Sequence, residues 1–282
     1  MSSAIEQLIA AEELPADYRA TVDACWRPLS EEIAMRAIDG PLVVGISGAQ
    51  GSGKSTLCRF LEVLLVEHNQ RAATLSLDDL YLPKHERERL ANEVHPLFAT
   101  RGVPGTHDPA LGMAVLEDFR AGRDLELPRF DKSIDGRRPE PEHAKGPLQV
   151  LLFEGWCLGA APQREGDLAD PVNSLEAEED PDGKWRREVN RRLATDYANL
   201  FARLDMLVML QVEGFDAVRA NRARQEAKLG PGPAVMDEAA LGRFLMHYER
   251  LTRWMLAEMP GRADILIEIG EDQRPMRVSY RG

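Results

Sequence analysis

Apolar positions along the chain fall into short continuous runs separated by segments of helical period. Residues 42–47 form an apolar run of strand length, a glycine-rich turn follows, and apolar residues then recur at helical spacing over 57–65. The alternation continues with a strand over 72–77, a helix over 111–119 opened by Asp108-Pro109, and a buried strand over 150–153. Next come a helix over 185–204, a strand over 206–212, helices over 215–229 and 237–259, and a strand over 265–269. Five short apolar strands separated by helices predict an α/β fold, a five-stranded parallel sheet with helices on both faces. Ahead of it, Ile5, Leu8, Ile9, Val22, Trp26, Leu29 and Ile33 recur at helical spacing, interrupted near Pro15 and Pro28. They predict a helical N-terminal extension over 1–40, before a main domain over 41–282.

Two segments, 82–105 and 130–146, are rich in Pro, Gly and charge and too long for simple connections, so they are expected to carry binding groups. The acidic stretch 162–183 reads as a solvated excursion. The 35 Lys and Arg against 47 Asp and Glu give a net charge of -12, which disfavours nucleic acid and anionic membrane surfaces as partners. An anionic ligand must therefore be met by a local basic cluster. Cys25, Cys58 and Cys157 are widely spaced and form no CxxC pair, which argues against a disulfide framework or a structural zinc site and fits a reducing cytoplasm. The N-terminus shows no basic region followed by an apolar stretch, and no run of eighteen apolar residues occurs, so a cytoplasmic location is expected.

The turn after the first predicted strand carries the first chemistry. Gly48-Ala49-Gln50-Gly51-Ser52-Gly53-Lys54-Ser55-Thr56 satisfies G-x-x-x-x-G-K-[ST] between a strand and a helix, the context of a P-loop NTPase fold. Its backbone N–H groups are expected to cradle the phosphates of ATP, with Lys54 reaching the β and γ phosphates and the Ser55 hydroxyl ligating Mg2+. Glu154 ends the run Val150-Leu151-Leu152-Phe153, where its carboxylate would project beyond the sheet's C-terminal edge and support the magnesium.

The phosphate cradle alone does not distinguish among P-loop proteins. No Asn is followed by Lys, so the guanine-reading N-K-x-D element is missing, and so is an L-S-G-G-Q-like transporter signature. Instead Leu77-Asp78-Asp79-Leu80-Tyr81 ends the second strand, bringing two carboxylates and a phenol to the same sheet edge. Phosphoryl transfer to an alcohol needs a carboxylate that orients the hydroxyl and takes its proton, and Asp78 is the candidate base.

Four further segments occur in a distinctive order: Ser76 to Leu82, Arg101-Gly102-Val103-Pro104-Gly105-Thr106-His107-Asp108, Pro128-Arg129-Phe130-Asp131-Lys132-Ser133, and Leu152 to Gly159. They resemble the plant-type D-glycerate 3-kinase family, within the wider group of P-loop kinases that includes phosphoribulokinase, uridine kinase and bacterial pantothenate kinase. The resemblance runs from about Gly40 to Pro275. It implies Asp78 as base, Glu154 as magnesium support, and Tyr81, His107, Asp108 and Lys132 as substrate-facing. For glycerate, the cations available to a carboxylate are Arg101, Lys132, Arg137 and Arg138. Arg219, Arg222 and Arg224 fall in a segment that resembles the lid of these kinases, where Arg219 and Arg222 would neutralise charge during transfer. Arg222 and Glu226 also have the spacing of a helical ion pair. Leu80 stands where the family usually has an aromatic residue. The resemblance thus implies a kinase transferring phosphate from ATP to D-glycerate. The alternatives are a kinase of the same fold for another small alcohol, and an ATP-binding regulatory protein without a metabolite acceptor.

Overall fold

The computed structural model describes residues 3–228 and 236–281. Ser3 and Glu6 form a reciprocal capping box that opens α1 (Ala4–Ala11). After it come α2 (Tyr18–Thr21), a π turn over Val22–Trp26 and α3 (Arg27–Arg36). Ile5, Ile9, Val22, Leu29 and Ile33 from these helices enter one core with β1 (Leu42–Gly48) and α4 (Lys54–Glu67).

Then follow β2 (Ala72–Ser76), α5 (Lys84–Glu93), α6 (Pro109–Arg120) and four short strands, β3 (Leu125–Leu127), β4 (Phe130–Asp131), β5 (Gly136–Arg137) and β6 (Glu142–Ala144). The rest of the described chain comprises β7 (Val150–Gly155), α7 (Ser174–Glu179), α8 (Lys184–Arg192), α9 (Ala198–Phe201), β8 (Met206–Gln211), α10 (Phe215–Lys228), α11 (Glu238–Glu258), β9 (Ile265–Ile269) and β10 (Pro275–Tyr280). The predicted end of the tenth helix, Leu229, lies outside the described residues.

The main sheet has the order β10-β9-β8-β1-β7-β2. Its five expected strands run parallel, and β10 adds a sixth, antiparallel to β9. The sheet is therefore mixed at one edge. Alternation along the central strands divides the core: Val44, Ile46, Val150 and Leu152 face the α1–α4 side, while Val43, Leu151 and Phe153 face the side packed with Leu116, Tyr197, Leu200 and Tyr248. Register then assembles the functional edge. Ile46 and Ser76 both pair with Glu154, and Gly48 pairs with Leu210, so the ends of β1, β2 and β7 lie side by side.

The long segments contain more order than their composition suggested. Within 82–105 sit α5 and a 3-10 turn at Pro96–Ala99, and 130–146 folds into the β4–β5 ribbon and the β6 half of β3–β6. The acidic stretch corrects the sequence reading, because Glu176 and Asp180 are fully buried. Glu176 accepts from Arg250 Nε at 2.8 Å and Nη2 at 2.7 Å, and from the Val172 N–H. Asp180 accepts from the first N–H groups of α8, at Trp185 and Arg186, and from the Arg186 guanidinium at 3.0 Å. The charges there staple a segment to the core, which a sequence pattern cannot distinguish from a solvated run.

Candidate active site

The P-loop joins β1 to α4. Gly51 has φ +75° and Gly53 φ +90°, and a Cβ on Gly51 would stand 2.8 Å from Cβ of Asn221 in α10. Glycine at position 51 therefore serves both the left-handed turn and the close approach of α10. The loop carbonyl of Gly51 accepts from Gln273 Nε2 at 2.9 Å, and Lys54 Nζ donates to the Ala49 carbonyl at 3.1 Å. Ser52 is buried with its hydroxyl unpartnered among the described residues, and the Gln50 side-chain oxygen is likewise buried without a partner. Thr56 leaves the group: its hydroxyl donates to Glu12 of the N-terminal segment at 2.9 Å.

Ser55 Oγ donates to Glu154 Oε1 at 3.2 Å, so the two predicted magnesium ligands meet. Burial raises the Glu154 carboxyl above its ordinary value, and the nearby Asp78 charge adds to this against the pull of Lys54. Among the described residues no group of three or more His, Cys, Asp or Glu side chains is arranged to hold a metal ion. A Mg2+ that takes most of its ligands from phosphates and water needs only one carboxylate and a hydroxyl from protein, and Ser55 with Glu154 fits that requirement.

Asp78 lies in a 3-10 turn, Leu77–Leu80, that follows β2. Its Oδ1 accepts from the Tyr81 hydroxyl at 2.9 Å and its Oδ2 from Lys132 Nζ at 2.7 Å. Burial alone would raise the Asp78 carboxyl, but the Lys132 ammonium and the Tyr81 hydroxyl outweigh it and hold the group below its ordinary value. It is an ionised carboxylate at neutral pH. Asp79 points elsewhere, accepting from Arg129 Nη1 and the Phe130 N–H, both at 2.9 Å, and so fastens the β4–β5 ribbon to the turn.

His107 is brought to this cluster but sits beneath it. Its ring stacks on Tyr81 with centroids 4.5 Å apart, and only 3% of the residue is exposed. The Tyr197 hydroxyl accepts from the Gly105 N–H at 2.9 Å and lies 2.7 Å from His107 Nδ1. Burial depresses the imidazole pKa to about 3, so the ring is neutral. Tyr197, which closes a π turn over Leu193–Tyr197, is the site residue that the sequence did not reveal.

The basic residues differ in their freedom. Arg137 donates to the carbonyls of Tyr81 and Leu80 and to Asp108 Oδ2 at 3.1 Å, acting as a strut. Asp108 also caps α6 through the Leu111 N–H at 3.1 Å. Arg101 pairs with Asp135 at 2.7 Å, a carboxylate that also takes buried Arg87, so this trio keeps one net positive charge. Arg138 lies 3.9 Å from Asp131. In α10, Arg222 pairs with Glu226 at 2.8 Å, and Arg224 donates to Asn221 and the Glu271 carbonyl. Arg219 lies over the Phe215 ring, 5.5 Å from its centroid, and among the described residues no carboxylate pairs with it. Beyond α10, a cleft of about 950 Å³ is lined by Gln211, Glu213, Asn221, Arg224, Glu268 and Glu271, on the side of the P-loop opposite Asp78.

A curated relative, an uncharacterised kinase of Schizosaccharomyces pombe, is 35% identical over 229 residues, covering 74% of this chain and 78% of that protein. The chain belongs to the P-loop kinases related to D-glycerate, uridine and pantothenate kinases. It is accordingly an ATP-dependent phosphotransferase. The chloroplastic D-glycerate 3-kinase of Arabidopsis thaliana is 30% identical over 260 residues, covering 84% of this chain and 54% of that protein, so the chain spans about half the length of the plant relative. Among solved structures, D-glycerate 3-kinase from Cryptococcus neoformans superposes with a TM-score of 0.76 at 23% identity, over 90% of this chain and 97% of that one. That likeness establishes the shared kinase fold. No family model matches the chain. No described helix is long and apolar enough to cross a membrane.

Proposed function

We propose that this kinase phosphorylates the primary hydroxyl of D-glycerate, giving 3-phosphoglycerate and ADP. The observation that carries the reading is the placement of Asp78, ionised and held by Tyr81 and Lys132, at the sheet edge beside Glu154 and the P-loop. The P-loop amides and Lys54 hold the β and γ phosphates, with the base of ATP in the cleft beyond α10. Ser55 and Glu154 would hold Mg2+, which when bound neutralises phosphate charge. Asp78 orients the acceptor hydroxyl and receives its proton as the oxygen bonds to the γ phosphorus and the bond from phosphorus to the bridging oxygen of ADP breaks. Arg219, which pairs with no carboxylate among the described residues, is the lid residue assigned to the transferring group, whereas Arg222 would first have to leave Glu226. Lys132 and Arg101 meet the acceptor's carboxylate, Asp108 its second hydroxyl, and the buried His107 acts through Tyr81.

Product identity tests the reading. Proton-coupled phosphorus NMR after incubation with ATP, Mg2+ and D-glycerate should show a phosphorus split into a triplet by an adjacent CH2–O group. A doublet would place the phosphate on the secondary hydroxyl, and no new ester would remove D-glycerate as the acceptor.

A further inference from the structure

Resting on that reading, we infer that Lys132 couples recognition of an anionic acceptor to release of the base. Without acceptor its ammonium masks Asp78, and a substrate carrying its own carboxylate near the reacting hydroxyl draws Lys132 away and unmasks the carboxylate.

The geometry distinguishes Lys132 from the arginines that surround the site. Arg129 is held by Asp79 and Glu142, Arg137 by Asp108 and two backbone carbonyls, and Arg101 by Asp135. Lys132 alone among these has the candidate base as its partner, with Nζ 2.7 Å from Asp78 Oδ2. The pair is built to exchange. The Lys132 side chain is 60% exposed and that of Asp78 35%, and a lysine is a point charge on a flexible stem that can turn to a new acceptor. The other carboxylate oxygen keeps its bond from Tyr81, whose ring is held on His107, so Asp78 stays aimed when Lys132 leaves.

The chemistry follows from charge. A carboxylate paired with an ammonium gains less from taking a proton than a free one, so the masked enzyme is a poor base toward water and neutral alcohols. In D-glycerate the primary hydroxyl carbon is two carbon–carbon bonds from the carboxylate carbon. A hydroxyl seated on Asp78 therefore brings a competing anion beside Lys132. Arg101, whose partner is Asp135, contributes attraction for the anion without altering the base.

Steady-state turnover of the wild type, Lys132→Met, Lys132→Arg and Arg101→Met with MgATP tests this, using D-glycerate, glycerol or no acceptor. Lys132→Met should lose roughly a hundredfold in kcat/KM for D-glycerate while its rates with glycerol and water rise, so the preference for the anionic acceptor collapses. Lys132→Arg should restore much of that preference, and Arg101→Met should weaken D-glycerate use with no rise toward glycerol or water. Equal losses on both acceptors in Lys132→Met, or an unchanged preference, would overturn the masking role while leaving D-glycerate as substrate. A wild type indifferent to D-glycerate would instead remove the substrate reading, and the coupling with it.

Discussion

Asp78→Asn should lower D-glycerate-dependent turnover by at least about a hundredfold with little change in stability. The amide has the size of the carboxylate and its oxygen can still accept from Tyr81, so the turn keeps its shape. It cannot take the acceptor's proton, and its loss of charge also frees Lys132. The ion pair that disappears is partly solvent-exposed, and removing it costs no more than roughly 1 kcal/mol. Turnover and a denaturation curve on the same preparation check both halves. Near-normal turnover would remove Asp78 as the base, and a variant that does not fold would make it a structural residue.

Arg250→Met should destabilise the fold by about 3–5 kcal/mol, the usual result of leaving a buried charge without its partner. Glu176 is fully buried, and Arg250 supplies two of its hydrogen bonds while also donating to the Asp167 carbonyl at 2.9 Å. Without the guanidinium, the Val172 N–H remains to that carboxylate. Adding Glu176→Leu should recover a large part of the loss, because the desolvated charge goes with it. The midpoint of urea unfolding, at unchanged slope, reads the effect. A loss below about 1 kcal/mol in Arg250→Met would mean that the 162–183 segment is solvated, as its composition suggested.

That segment marks where sequence and structure part. β1, β7 and β8 were legible because buried parallel strands must be apolar on both faces, and the P-loop because its backbone geometry needs glycine at fixed places. β10 was not. It opens with a proline, leaves Met276 and Tyr280 exposed at the sheet edge, and so lacks an apolar run. Helix α5 was hidden for a similar reason, since its one buried residue is Arg87. Glu154 and Asp78 could be named as candidates because each sits at the end of a recognisable apolar run. Tyr197 could not, since it meets His107 across 90 residues of chain through a π turn with no compositional mark. The freedom of each arginine was equally invisible. Arg137 and Arg101 differ in whether backbone carbonyls or a distant carboxylate hold them, and spacing within the loops carries no trace of either partner.

Acceptor-dependent phosphoryl transfer from ATP defines this enzyme's proposed activity. It is tested most directly by ADP release from MgATP with the purified protein, alone and with D-glycerate, L-glycerate, pantothenate, uridine or ribulose 5-phosphate. Strong stimulation by D-glycerate is expected, with little by the others and little turnover without acceptor. Stimulation by a different acceptor would contradict the substrate assignment, and ATP binding with no acceptor response would contradict the enzymatic role of Asp78 itself.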